Sequence, residues 1–239
     1  MLATRELEIV KNCYKQPFRT RRKNDSISSE IVNVLAAFAI PVSLQKGAAL
    51  FVEGQPSRGA FILYSGRVKL FTLSADGKIF ILRFADPGEI LGLAGTVSGQ
   101  PYEAWAETIQ PTQIGFVERS DLVRLMRDYG EFAVQVAMQL GKSYCAAAAG
   151  LRAMGLSQPA GQKLAIFLLD WHERNRSFPD QAATTRFRLT HEEIAQVIGT
   201  SRETVTRLLS QFKKKGLIEW NGCNLALTDR AALERSAAN

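Results

Sequence analysis

The most informative feature of this sequence is a pair of short segments in which apolar residues recur at the spacing of a helix. Gly199 lies between the two segments. The first begins after Thr190 and the second after Ser201. Thr190 and Glu193 have the spacing of a capping box, and Ser201 is a suitable N-cap for the second helix. Because the connection is so short, the segment predicts a helix-turn-helix unit.

The second of these helices has an apolar side and a polar side. Projected at about 100° per residue, the apolar side contains Val205, Leu208, Leu209 and Phe212. The polar side contains Arg202, Glu203, Thr206, Arg207 and Ser210. Arg can donate two hydrogen bonds to guanine and Glu can accept one from cytosine, so this side suits the edges of bases. An ordinary solvated amphipathic helix would show the same two sides.

A winged module is expected around these helices. Residues 187–189 predict a short strand before them. After them, apolar runs at 217–220 and 223–227 flank Asn221-Gly222, which is a strong hairpin signal. Positive charge also favours a nucleic-acid partner here: of the net charge of +7, residues 1–25 contribute +4, residues 157–239 contribute +3 and the middle contributes none. A basic protein with no nucleic-acid role could have the same totals.

The middle of the chain predicts several β-strands followed by a long helix. Short β-rich runs with turn signals between them predict a sandwich or barrel; they cover residues 49–52, 60–63, 68–73, 79–84, 105–108 and 113–117. A short helix is expected before them at 28–40, and a long one after them at 128–154.

The long helix carries an apolar stripe with spacings of three and four residues, which fits the seam of a coiled coil. A helix packed on its own barrel would need the same stripe. The stripe consists of Phe132, Val136, Leu140, Ser143, Ala147, Leu151 and Met154. A further helix is expected at 162–172.

Three segments resemble the cyclic-AMP receptor protein/FNR (CRP/FNR) family of bacterial transcription regulators. IGTSRETVTRLLSQFKKKGLIE is similar to the family's DNA-reading segment, and LQKGAALFVEGQPSRGAFILYSGRVKLF and FADPGEILG are similar to its sensor domain. The resemblance implies an α+β fold: an N-terminal cyclic-nucleotide-binding-like β-barrel (a double-stranded jelly roll), a long dimerisation helix and a C-terminal winged helix-turn-helix. The corresponding divisions are a basic extension at 1–25, the barrel at 26–120, the helix at 121–156 and the DNA-binding domain at 157–239.

The resemblance implies a homodimer on double-stranded DNA, with RNA polymerase as a further partner. Arg202, Glu203 and Arg207 match the receptor-protein branch and would read guanines and a cytosine in a palindromic TGTGA-like site. Thr206 differs from the residue at this position in both the receptor-protein branch and the FNR branch of the family. The expected DNA-contacting residues are Arg202, Glu203, Thr206, Arg207, Ser201, Thr190, His191 and Lys213. The dimer would form along the stripe of the long helix, and residues 174–181 are a candidate polymerase surface.

The expected effector pocket departs from the pattern of cyclic-AMP binders. Leu93 stands where the family has a Glu for the ribose, and Tyr102 stands where it has an Arg for the phosphate. Ala146 and Ala147 replace a Thr-Ser pair, whereas Lys142 keeps a basic residue. Cyclic AMP is not expected to bind, because its phosphate would lack a buried cationic partner. The candidate pocket consists of Gly88, Glu89, Leu91, Leu93, Tyr102, Glu103, Lys142 and Ala146.

Two interpretations of this pocket stay open: it holds an unknown small apolar effector, or it is filled by side chains. Three scattered cysteines do not supply the four thiolates of an iron–sulfur cluster, and neither His172 nor His191 lies in the barrel, so haem has no support. No metal site, cofactor or catalytic residue is expected, so the chain is not expected to be an enzyme.

No signal peptide or membrane span is expected either, so the protein is assigned to the cytoplasm. The competing interpretation is a cytoplasmic ligand-binding module whose terminal winged domain binds protein rather than DNA.

Overall fold

The computed structural model describes residues 38–155, 158–175, 184–186, 189–221 and 224–238. Contacts divide the chain into two units that meet between Ala146 and Ala147, inside one long helix. The strands of the first unit are β1 (Ile40–Leu44), β2 (Ala49–Phe51), β3 (Gly59–Ser65), β4 (Val68–Leu73), β5 (Ile79–Ala85), β6 (Ile90–Leu91), β7 (Trp105–Thr108) and β8 (Thr112–Glu118). Its helices are α1 (Leu93–Ser98), α2 (Arg119–Asp128) and the long α3 (Gly130–Gly155).

The eight strands form two four-stranded antiparallel sheets. Their strand orders are β1-β8-β3-β6 and β2-β7-β4-β5. Apolar side chains from both sheets meet in one buried cluster of Phe51, Leu63, Val68, Leu70, Ala85, Leu91, Tyr102, Ala106 and Ile114. The predicted sandwich or barrel is therefore confirmed, and each of its six expected strands is present within one or two residues of the predicted bounds.

Two helical predictions for this unit need correction. The helix expected at 28–40 does not extend to its predicted end, because Ile40 begins β1; residues 28–37 lie outside the described part. The helix expected from residue 128 begins at Gly130 instead, since Tyr129 has an extended backbone (φ −124°, ψ 90°) that ends α2. The chain therefore changes direction at Tyr129 before α3 begins.

The first turns of α3 pack on the barrel. Phe132 and Val136 lie in a second buried cluster together with Ile62 of β3, Leu93 of α1 and Leu122 of α2. Gln139, one turn further along, accepts a hydrogen bond from the backbone N–H of Ile90 (3.2 Å) and donates one to the carbonyl of Ile90 (2.5 Å). One face of α3 is consequently committed to its own chain.

The second unit contains the predicted helices and hairpin. Its elements are α4 (Ala160–Asn175), β9 (Thr184–Arg186), α5 (His191–Ile198), α6 (Arg202–Lys214), β10 (Ile218–Asn221), β11 (Asn224–Leu227) and α7 (Arg230–Ala238). The three strands form an antiparallel sheet in the order β10-β11-β9. The helix expected at 162–172 is confirmed with longer bounds, whereas α7 was not predicted.

The hairpin and the preceding strand differ from the sequence prediction in detail. Asn221 pairs with Asn224 and therefore belongs to β10 rather than to the turn; residues 222–223 lie outside the described part. The strand expected at 187–189 is found at Thr184–Arg186; Leu189 is buried outside any strand. Within the described residues, no helix is both long and apolar enough to span a bilayer.

Candidate nucleic-acid interface and effector cassette

Paired side-chain and backbone hydrogen bonds fix the start of α5. Thr190 Oγ1 accepts from the backbone N–H of Glu193 (3.1 Å), and Glu193 Oε2 accepts from the backbone N–H of Thr190 (2.8 Å). The helix ends at Gly199, whose φ of +66° belongs to the left-handed region that glycine adopts without strain. The predicted capping box and glycine turn are therefore confirmed.

The next helix, α6, begins at Arg202, three residues after Gly199. Ser201 Oγ accepts from the backbone N–H of Thr204 (3.2 Å), which confirms Ser201 as the N-cap. The apolar side of α6 is buried; it consists of Val205, Leu208, Leu209 and Phe212. The polar side is exposed; it consists of Arg202, Glu203, Thr206, Arg207 and Ser210. The sequence therefore specified which side of this helix faces solvent.

The exposed side of α6 carries fixed charges of both signs. Glu203 lies in the first turn, where its own backbone N–H and the Ser201 hydroxyl hold the pKa of its carboxyl below the ordinary value; neighbouring Arg202 acts in the same direction. Glu203 therefore remains an ionised hydrogen-bond acceptor. Lys213, Lys214 and Lys215 are exposed at the other end of the helix. The arrangement offers donors and one acceptor along a single accessible surface.

Thr206 makes a contact that the sequence did not reveal. Its Oγ1 lies 2.9 Å from Nδ1 of His191, the first residue of α5, and 2.9 Å from the carbonyl oxygen of Arg202. The His191 ring also contacts Trp220 of β10 edge to face, with ring centroids 5.7 Å apart and planes at 87°. A sequence signal for this cluster did exist, since His191 directly follows the N-cap residue, but its partner is fifteen residues away.

The segment between β6 and β7, here called the cassette, packs Tyr102 into the core of the barrel. Tyr102 stacks on Phe51 with ring centroids 4.2 Å apart, and its hydroxyl donates to the carbonyl of Gly59 (2.5 Å). Gly92 precedes α1 with φ +74°, and a Cβ at this glycine would lie 2.7 Å from the Tyr102 ring. Leu91 and Leu93 are buried as well. Tyr102 therefore belongs to the buried cluster between the two sheets.

Other predicted pocket residues do not converge on this cassette. Glu89 forms an ion pair with Arg83 (2.5 Å) and accepts from the backbone N–H of Asp86 (2.8 Å), so its carboxylate is engaged in the turn that contains Gly88. Glu103, Lys142 and Ala146 are exposed. The buried cluster between the sheets includes Leu91 and Tyr102, whereas Leu93 belongs to the cluster under α3.

The predicted dimer stripe is wrong in its first half. Phe132 and Val136 are 1% and 2% exposed within a single chain, because the barrel uses these side chains as part of its core. Leu140 is half-buried against the same cluster. Ser143 is half-buried and Ala147 is exposed, whereas the side chains of Leu151 and Met154 lie outside the described part.

A different face of α3 is exposed and apolar. Val134 is 57% exposed and Met138 is 43% exposed, and both point away from the barrel cluster. Gly141 and Cys145 continue this face with spacings of three and four residues, and both are exposed. We call Val134, Met138, Gly141 and Cys145 the outer face of α3.

No group of three or more metal-ligating side chains occurs in the described ranges.

Two known protein families match the two parts of this chain. The Crp-like helix-turn-helix domain matches residues 162–236, and the cyclic nucleotide-binding domain matches residues 41–129. The chain belongs to the CRP/FNR family of bacterial transcription regulators. The helix-turn-helix of this CRP/FNR regulator is its DNA-binding element, and the barrel is its cyclic-nucleotide-binding-type domain.

Individual relatives agree with this assignment. A CRP-like cAMP-activated global transcriptional regulator of Mycobacterium tuberculosis is 28% identical over 197 residues, covering 82% of this chain and 88% of that protein. Electron transport regulator A of Shewanella oneidensis is 27% identical over 198 residues, covering 82% and 78% respectively. The structure of FixK2 from Bradyrhizobium japonicum is similar with a TM-score of 0.75 and 25% identity, covering 84% of this chain and 98% of FixK2. The CRP/FNR regulator is thus related to transcription regulators and not to enzymes, as the sequence predicted.

Proposed function

We propose that this CRP/FNR regulator binds a palindromic TGTGA-like site as a homodimer and does so without cyclic AMP. The observation that carries the proposal is the shared exposure of Arg202, Glu203 and Arg207 on one side of α6, whose other side is buried. A helix with this division can enter a major groove without losing its packing. The two guanidinium groups would bind guanines, and the ionised Glu203 would accept from cytosine.

Site spacing follows from the proposed dimer. Two copies of α6 would enter successive major grooves about 34 Å apart on one face of the duplex. The outer face of α3 supports this association, because its exposed side chains recur at the spacing of a coiled-coil seam. The seam proposed here replaces the one predicted from the sequence, whose first residues are buried. Contact with RNA polymerase remains a prediction, and residues 176–181 of its candidate surface lie outside the described part.

Independence from cyclic AMP is supported by the content of the cassette. A cyclic nucleotide would need room and a cation at its phosphate, whereas Tyr102 is 4% exposed and bonded to Gly59 inside the barrel. Desolvating a phosphate beside an aromatic ring with no cationic partner is unfavourable by several kcal/mol in order of magnitude. The proposal therefore favours a pocket filled by side chains over a pocket that holds a small effector.

The DNA-reading proposal is tested by Arg202→Ala. Because this side chain would bind one guanine, the variant should lose about 1–3 kcal/mol of binding free energy on a TGTGA palindrome and lose preference at that base. Fluorescence anisotropy on the palindrome and on a scrambled duplex measures both quantities. Equal losses on the two duplexes would contradict base reading by Arg202.

Lys214→Ala is the matched control for that experiment. Lys214 is an exposed cation on the same helix, in its last turn. Its loss should weaken binding to both duplexes alike and reduce the salt dependence. If the wild-type protein bound neither duplex in a salt-sensitive manner, the alternative of a winged domain that binds protein would be favoured.

Cyclic AMP is tested directly by calorimetry. With Tyr102 in the cassette, titration to millimolar cyclic AMP should release no saturable heat, and DNA affinity should be the same with and without the nucleotide. Saturable heat accompanied by a change in DNA affinity would refute the cassette argument while leaving the DNA-reading proposal intact.

A further inference from the structure

The hydrogen bonds of Thr206 have one consistent assignment. A hydroxyl carries one hydrogen and two lone pairs. Since the Arg202 carbonyl oxygen can only accept, the Thr206 hydrogen is donated to it across 2.9 Å. His191 Nδ1, also 2.9 Å from Thr206 Oγ1, must then carry a hydrogen and donate it to the hydroxyl. The hydroxyl is therefore directed toward the protein by two partners.

His191 is itself held in place. It lies in the first turn of α5 and its ring is half-buried, with Trp220 of β10 packed against it edge to face. The side-chain torsion of Thr206 is thus fixed by its own helix and by a ring supported from a neighbouring strand. A β-branched side chain already has few rotamers, and these two bonds select one of them.

The orientation decides what Thr206 can offer to DNA. The residue is exposed on the same side of α6 as Arg202, Glu203 and Arg207. Its hydroxyl would have to break a bond to Arg202 or His191 before it could donate to a base, whereas its methyl group makes no such bond. The apolar group that bases present in the major groove is the 5-methyl of thymine.

We infer that Thr206 reads a thymine through its methyl group and that His191 is the positioning residue for this contact. The inference rests on the proposed binding of a TGTGA-like palindrome. It assigns a base preference to Thr206, the residue of α6 that departs from the family pattern. Its chemistry differs from that of the neighbouring arginines, which recognise hydrogen-bond acceptors.

Uracil lacks only the 5-methyl group, so replacing thymines by deoxyuridine tests the inference. Each thymine of the half-site, on either strand, is replaced one at a time in both halves of the palindrome. For the wild-type protein, one replacement should weaken binding roughly three- to fivefold per half-site, the effect of one buried methyl group. The other replacements should have smaller effects.

Two variants test the contributions of the Thr206 methyl group and the Thr206 hydroxyl separately. Thr206→Val keeps a methyl group and should still prefer thymine to uracil at the sensitive position. Thr206→Ser keeps the hydroxyl and should bind the two duplexes equally, with the affinity that the wild type has for the uracil duplex. A thymine preference that survives in Thr206→Ser, or that is lost in Thr206→Val, would show that the Thr206 methyl group does not read the thymine and would overturn the inference.

The role of His191 is tested by the ratio of the affinities for the thymine duplex and the uracil duplex. His191→Ala frees the Thr206 torsion and should reduce the thymine-to-uracil ratio, whereas His191→Asn, whose amide nitrogen can take the place of Nδ1, should restore it. A residue that acts only in folding would lower both affinities and leave the ratio unchanged, which would refute the positioning role.

Failure of this inference is distinguishable from failure of the proposed function. If no thymine is sensitive to loss of its methyl group while Arg202→Ala still lowers affinity selectively, Thr206 does not read thymine but the regulator still binds the proposed site. If Arg202→Ala has no selective effect on the palindrome, both proposals fail together.

Discussion

Tyr102 combines an aromatic contact and a hydrogen bond at the centre of the barrel. Its ring stacks on Phe51, and its hydroxyl shares the Gly59 carbonyl with the hydroxyl of Thr96, which also donates to that oxygen (2.8 Å). The positive φ of Gly92 and the lack of a Cβ there leave room for the ring. The barrel therefore holds the Tyr102 side chain by its ring and by its hydroxyl.

Removing the Tyr102 ring should therefore destabilise the barrel rather than open a functional site. Tyr102→Ala should lower the free energy of unfolding by about 3–5 kcal/mol, as expected for a buried aromatic side chain. Tyr102→Phe keeps the ring and should lose about 0.5–1.5 kcal/mol with the hydrogen bond. Urea denaturation measures both. A Tyr102→Ala protein as stable as the wild type would contradict a filled cassette.

Single residues differed in how far the sequence could predict them. The exposure of Arg202, Glu203 and Arg207 followed from helical period alone, since neighbours on one helix settle which side is apolar. Gln139 gave no such signal, because its partner is the backbone of a strand forty-nine residues away. The Thr206–His191 contact was missed for the same reason.

The helix-turn-helix depends on local signals at each of its boundaries. A capping box starts α5, a left-handed glycine ends it, and Ser201 starts α6. The caps satisfy backbone N–H groups that have no partner inside a helix. The angle at which α6 leaves the turn is thus fixed close to the residues that would contact DNA.

Thr190→Ala tests the contribution of the first cap. Loss of the bond that the Thr190 hydroxyl accepts should lower stability by about 0.5–2 kcal/mol, because Ala has no side-chain acceptor for the N–H of Glu193. Ser210→Ala is the matched control: Ser210 is exposed in the interior of α6 and donates to the carbonyl of Thr206. This control should change stability by less than about 0.5 kcal/mol. Thermal unfolding of both variants would reveal a misassigned cap if the losses were equal.

Elements whose identity depends on distant partners were harder to predict. Pro41, the second residue of β1, weakened the strand signal, yet among the described strands β1 is an edge strand paired with β8, which is where a sheet tolerates proline. The stripe of α3 was ambiguous because a barrel and a partner helix both require one. The barrel packs against the face that contains Phe132 and Val136, whereas the outer face stays exposed.

At the scale of the whole molecule, α3 is the helix that crosses the boundary between the two units. It begins in the first unit and continues into the second, and its outer face carries exposed apolar side chains. Two such faces packed together would remove Val134 and Met138 from water. The small Gly141 between them would let the two helix backbones approach closely.

Met138→Glu tests this association. A charge at the centre of the seam should shift the protein from dimer to monomer and lower its affinity for the palindrome more than for an isolated half-site, since two half-sites would no longer be bound together. Sedimentation velocity measures the oligomeric state. Leu82→Glu is the control, because Leu82 of β5 is 49% exposed and lies on a different surface. A dimeric Met138→Glu protein would exclude the outer face as the seam.

The amide of Gln139 has a consequence for solubility. β6 is the terminal strand of its sheet, and a terminal strand exposes backbone groups to which a foreign strand can add. Gln139 binds both the N–H and the carbonyl of Ile90, as the peptide group of another strand would. A foreign strand would have to displace this side chain from Ile90 before it could pair there, so Gln139 opposes strand addition at that edge.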